Sequence, residues 1–386
     1  MKKVALIACL TLLMGGLAYA KVNFSGDFQA SYKAQEFEVV TTGPTASGTL
    51  TENTYGNKTF DMEYLRLNMD AVVSDNVIAF AEIVYNDDDG SVTMDNVWAQ
   101  VNLTDWFRVK AGKFDRPFGE EYQYAESISE VFALRSIVQD ANGALLSDTI
   151  GSDSVNPVPY ELSSGLNGEI VVGAQINGDY KMASYALWVE NGALPALAVK
   201  ADSTDYSVQS TPSTDNDDAK SVGLSLRVKP LKDLQIGADY VTGDYRHDKR
   251  AKGFNLNFQY DLLGQFLLRG EYADIEHEDY LADVSGDSVD AEYKYYIAEV
   301  TYHGLKDWQF GVRYSAIDPD NETTEEAANF EKIEQYQFAV QYNISEGAYL
   351  KAEYAIRDTD RKAGFYGATT NDPDDDLFVV QLAVEF

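Results

Sequence analysis

Alternation with a period of two residues recurs along nearly the whole chain and constrains its fold more than any other feature. In "VNFSGDFQASYK", Val22, Phe24, Phe28, Ala30 and Tyr32 share one face, and Asn23, Ser25, Asp27, Gln29 and Ser31 share the other. "GFNLNFQYDL", "QYQFAVQYNI" and the terminal "LFVVQLAVEF" repeat the pattern. This spacing belongs to strands with one apolar face. About sixteen segments of roughly 9–12 residues follow it, the length of a tilted strand that crosses a bilayer. The pattern is least clean at 77–85 and 180–190, where both faces are partly apolar.

The connections alternate in length. Short turns are predicted at "VSDN" (73–76), "TD" (104–105), "NGD" (177–179), "PLKD" (230–233), "LG" (263–264), "GLKD" (304–307) and "SEG" (345–347). Longer acidic connections separate them, including 34–58, 116–167, 191–220 and 276–291. Tight turns at one end and long loops at the other describe an up-and-down antiparallel sheet.

Charge placement decides between a soluble sheet and a membrane barrel. Arg66, Arg108, Lys110, Arg227, Arg269, Glu271, Arg313, Lys351 and Glu353 all fall on the polar face within predicted strands. In a soluble barrel that face would be core, where unpaired charge is costly. A large soluble sheet also needs a second apolar layer, and no amphipathic helix is predicted to supply one. With the sheet reversed, the apolar face meets lipid, the polar face lines water, and closure removes the edges. The predicted fold is therefore all-β: a closed antiparallel transmembrane β-barrel of about sixteen strands. It would have short periplasmic turns, long extracellular loops and a wide enough interior for a water-filled channel.

The formal net charge of −33 excludes a nucleic-acid partner, which needs a basic face. Residues 1–20 read as an export signal: a basic start, an apolar core and a small-x-small site ending at Ala20. The barrel domain would then span 21–386. The single cysteine, Cys9, lies inside the signal, so no disulfide or thiolate metal site is expected in the exported protein. His247, His277 and His303 sit in separate segments without metal-ligand spacing, and no hydrolase motif is present, so an enzyme is not expected. No cofactor is expected either. Clustered carboxylates in the outer loops need no role beyond solubility; loosely bound divalent cations bridging to lipopolysaccharide would be a second one.

"RVKAGKFDRPFGEEY" (108–122) resembles the strand-then-loop motif of the phosphate-selective porin O/P-like family of Gram-negative outer-membrane porins, through Gly112, Phe114, Pro117, Phe118, Gly119 and Glu121. The resemblance implies an outer-membrane location, a homotrimer with three separate pores, and a long third loop (about 116–167) folded into the lumen as a constriction. Its candidate constriction residues are Arg116, Glu120, Glu121, Glu126, Glu130 and Arg135. An acidic loop opposite a basic wall would set a transverse field across the narrowest zone. Arg66, Arg108 and Lys110 are the first candidates on the wall, from strand positions near the start of the third loop.

The expected function is passive diffusion of ions and small hydrophilic solutes. The acidic loops and the lack of a lysine cluster point to mild cation preference. Phosphate or anion selectivity follows only if the resemblance extends that far. The alternative is a plugged, non-conducting barrel acting as an adhesin or structural protein. Phe386 ends the last strand inside its apolar row. It reads as both a seam against the first strand and a signal resembling that read by the barrel-assembly machinery.

Overall fold

The computed structural model describes residues 21–42, 50–86, 91–119, 129–134, 136, 170–191, 220–246, 249–282, 288–319, 332–360 and 375–386. The predicted export signal at 1–20 lies outside them. The strands are β1 (Lys21–Thr42), β2 (Leu50–Ser74), β3 (Val77–Asn86), β4 (Ser91–Thr104), β5 (Phe107–Asp115), β6 (Ile170–Tyr180), β7 (Ala183–Asn191) and β8 (Lys220–Leu231). They continue with β9 (Leu234–Arg246), β10 (Lys249–Leu262), β11 (Phe266–Ala282), β12 (Ser288–Leu305), β13 (Trp308–Pro319), β14 (Lys332–Ser345), β15 (Ala348–Asp360) and β16 (Asp375–Glu385). Each pairs with its sequence neighbours, and β1 pairs antiparallel with β16 to close the barrel. Closure satisfies the backbone without leaving an edge, which a chain in hydrocarbon requires.

The predicted faces are the observed ones. On β16, Phe378, Leu382 and Phe386 are exposed on the outer surface, while Val379, Gln381 and Ala383 are buried on the lumen side. On β14, Gln335, Gln337 and Gln341 point inward, and Tyr336, Phe338 and Ile344 outward. The outward apolar row is the lipid-facing surface.

Two expectations about connections are corrected. The first is the turn placed at "NGD" (177–179). Those residues lie inside β6, and the turn is at Lys181 and Met182, with Lys181 at φ 55°. Gly178 is needed for close approach instead: a Cβ there would lie 2.1 Å from the Trp106 carbonyl oxygen of the neighbouring turn. The Asp179 N–H donates to the Asp105 carbonyl at 3.1 Å beside it.

The second concerns length. The 34–58 connection is mostly strand, because β1 and β2 stay paired out to Thr42 and Leu50. The acidic "EHED" (276–279) likewise lies within β11, and the 276–291 connection shrinks to the interval between Ala282 and Ser288. Beyond the bilayer a paired hairpin needs no apolar face, so the alternation stops while the backbone pairing continues.

Candidate functional site: a segment fastened across the lumen

The segment that follows β5 turns into the lumen, and its described residues are held at two places on the wall. Arg116 comes first. It is buried, and its guanidinium grips Glu190 on β7 in a forked pair: Nε to Oε1 at 2.9 Å and Oε2 at 3.2 Å, and Nη2 to Oε1 at 2.8 Å. The Phe118 N–H donates to the Arg116 carbonyl at 2.8 Å, which bends the chain at Pro117. Phe118 is wholly buried. Gly119 adopts φ 80°, a conformation that suits glycine. Its N–H donates to Asp239 Oδ2 on β9 at 3.0 Å, and its carbonyl accepts from Arg227 on β8 at 3.3 Å. Arg227 and Asp239 are themselves an ion pair, with Nη2 to Oδ2 at 2.9 Å.

The second anchorage is on the far wall. Arg269 on β11 donates through Nη1 and Nη2 to Glu130 Oε2, both at 3.0 Å, and its Nη1 also lies 3.2 Å from Glu299 on β12. Arg313 on β13 reaches the same two carboxylates, Glu299 at 2.9 Å and Glu130 at 4.0 Å. Two acids and two guanidiniums thus form one buried, formally neutral cluster. Burial, with Glu299 beside it, pushes the Glu130 carboxyl above its usual range, while Arg269 and Arg313 pull the other way.

Next along the segment, Glu353 on β15 accepts from the Ala133 and Leu134 N–H groups at 2.6 and 2.9 Å. Gln337 on β14 donates to its other oxygen at 2.7 Å. The Leu134 carbonyl accepts from Arg313 Nη1 at 3.2 Å and from Gln337 at 3.4 Å, and the Phe132 carbonyl faces Lys351 at 3.5 Å. Arg313 also stacks 3.9 Å over the Phe132 ring. Val131 and Phe132 pack against Ala339 and over Gly311, where a Cβ would come within 2.7 Å of both.

The predicted site residues therefore divide. Arg116, Arg227, Arg269, Arg313, Lys351, Glu353 and Glu130 are brought together as fasteners of the segment. Glu120, Glu121, Glu126 and Arg135 lie outside the described residues. Glu271 accepts from Asn255 at 2.7 Å.

Of the first wall candidates, Arg108 sits away from the start of the third loop, whereas Arg66 and Lys110 stand beside the end of β5. Arg66 is tied to Asp27 of β1 at 3.4 Å and Glu82 of β3 at 3.5 Å. Arg108 lies at the short-turn end, bonded to the Asp105 carbonyl at 2.9 Å and to Asp179. Lys110 rests on the Trp98 and Phe114 rings. The expected basic wall across a gap from an acidic loop is replaced, at the described anchorages, by direct pairing of loop and wall charges.

Sequence reasoning missed Glu190 and the lumen-facing aromatics Phe80, Trp98 and Trp188. For Phe80 and Trp188 the signal was the imperfect alternation at 77–85 and 180–190, where the inward face is itself aromatic.

A sequence profile described as Gram-negative porin matches residues 5–362. The chain belongs to the Gram-negative porin family. Among curated proteins none matches it by sequence. Solved structures share its fold. The outer membrane channel DcaP of Acinetobacter baumannii aligns at TM-score 0.60 and 13% identity, covering 96% of this chain and 98% of that one. OmpT of Vibrio cholerae, in a trimer form, gives TM-score 0.58 and 14% identity over 95% and 99%. An anion-selective porin from Comamonas acidovorans gives TM-score 0.59 and 12% identity over 95% and 100%. The porin is an outer-membrane channel protein for small solutes.

Proposed function

We propose that this porin passes ions and small hydrophilic solutes by passive diffusion, as a homotrimer, through lumens narrowed by the segment after β5. The observation that carries this reading is the two-point anchorage of that segment, at Gly119 on β8 and β9 and at 130–134 on β11 to β15. A segment that leaves β5 and is fastened first to β8 and β9 and then to β11 to β15 narrows a barrel, and its charges become part of the wall. The trimeric OmpT supports the assembly.

We assign mild cation preference. The described anchorages are charge-balanced, so the excess acid of a chain at −33 is left to act in the vestibule, where it concentrates cations. Acidic outer loops would also hold divalent cations against lipopolysaccharide. The protein from Comamonas is anion-selective, but at 12% identity the likeness is one of fold and does not carry its selectivity to this chain.

Reversal potentials in planar bilayers under a KCl gradient test the assignment. The expected sign is that of potassium permeating faster than chloride, with a preference of about two- to fivefold that falls as salt rises. Clear chloride preference would sink it. A barrel without steady single-channel current would return the plugged, adhesive alternative.

A further inference from the structure

On the lumen wall of β3, β4 and β5 lies a patch that the fastening of the segment does not use. Phe80 and Trp98 are cross-strand partners whose rings stack at 5.4 Å with 26° between planes. Lys110 lays its Nζ 4.6 Å from the Trp98 ring centroid and 5.6 Å from that of Phe114. Gly112 stands between Lys110 and Phe114 on β5 and is the cross-strand partner of Trp98. No side chain at that position separates the ammonium from the two rings.

The charges around Lys110 set it apart. Arg116, Arg227, Arg269 and Arg313 each hold a carboxylate. Among the described residues Lys110 makes no hydrogen bond or ion pair; Asp115 reaches it only through space. Phe80, Trp98 and Lys110 are all partly accessible. The ring faces satisfy an ammonium only in part, because its remaining N–H donors still seek an acceptor. A carboxylate would supply one, and a planar ring attached to it would find the stacked pair beside it.

We infer that Phe80, Trp98 and Lys110 form a transit site for aromatic carboxylates, with the carboxylate on the Lys110 ammonium and the ring against the Trp98 and Phe80 faces. The inference rests on the reading of the barrel as a channel. The site lies between the fastened segment and the short-turn mouth, since Lys110 is one inward-facing residue beyond Arg108 on β5. Weak binding suits a transit site, because a solute must leave as well as enter.

The test uses benzoate, acetate and cyclohexanecarboxylate as probes on the purified full-length barrel in a planar bilayer. Benzoate should interrupt the KCl current at concentrations about tenfold below acetate. Lys110→Gln should raise the half-blocking benzoate concentration by about tenfold. Trp98→Leu should erase the difference between benzoate and cyclohexanecarboxylate. Unblocked current in each variant reports that the barrel is folded and conducts, so loss of the channel reading is seen separately. Intrinsic tryptophan fluorescence of detergent-solubilised protein, titrated with benzoate, reads binding without current. A saturable change that Lys110→Gln removes supports the site. Equal block by benzoate and acetate, or a benzoate titration unaltered in Lys110→Gln, overturns it.

Discussion

Arg313→Ala should raise single-channel conductance by roughly twofold and make the open current noisy, because it releases the far end of the segment from the wall. Arg313 is buried and serves several partners at once: the Glu299 and Glu130 carboxylates, the Leu134 carbonyl and the Phe132 ring. Its removal leaves Glu130 and Glu299 sharing Arg269 alone. Breaking a buried ion pair from one side costs on the order of 3–5 kcal/mol, much of it the penalty on the carboxylate left behind. The strand ladder is not part of that cost, so the barrel should still form. Arg313→Lys keeps the charge but loses the flat fork and the stacking, and should fall between the two. A double-mutant cycle with Glu130→Ala isolates the link: strongly non-additive conductance identifies the pair as the fastener. Wild-type conductance and noise in Arg313→Ala would show that the segment is held without it.

The wall was legible in the sequence and the segment mostly was not, for a physical reason. A strand between lipid and water must alternate, so Phe378, Gln381, Leu382 and Glu385 announce their faces one by one. The segment after β5 meets no such rule. Its position is set by partners distant in the chain, such as Glu130 with Arg269 and Ala133 with Glu353. Charge type narrowed the choice, since Arg269, Arg313 and Glu130 were all candidates. Nothing local could pair them, or show that Glu353 would cap two backbone N–H groups. Alternation also failed where the lumen is aromatic, which hid Phe80 and Trp188. Lys181 shows the same limit in a turn: its positive φ has no compositional mark, whereas the neighbouring Asn177 and Gly178 carry a turn's composition without making one.

Phe386 offers the second large effect, and the seam separates its two roles. Its N–H donates to the Gly26 carbonyl at 2.9 Å, and its carbonyl accepts from the Gly26 N–H at 2.8 Å, so the last residue completes the β1–β16 ladder. The ring lies over Gly26, where a Cβ would come within 2.9 Å of it and 2.5 Å of the Arg66 carbonyl oxygen. Gly26→Leu keeps the terminal aromatic but overfills the seam, at a cost of about 1–3 kcal/mol or more. It should slow refolding into detergent and lower the yield of folded barrel in cells alike. Deleting Phe386 removes two hydrogen bonds worth about 1 kcal/mol each, a modest loss for purified protein refolding unaided. If the residue is also an address for the assembly machinery, the same deletion should lower the folded yield in cells by about tenfold, out of proportion to its refolding defect. Heat-modifiability on gels reads both yields. Parallel losses in the two settings would leave Phe386 as a seam residue only, and an intact yield in cells would remove the addressing role.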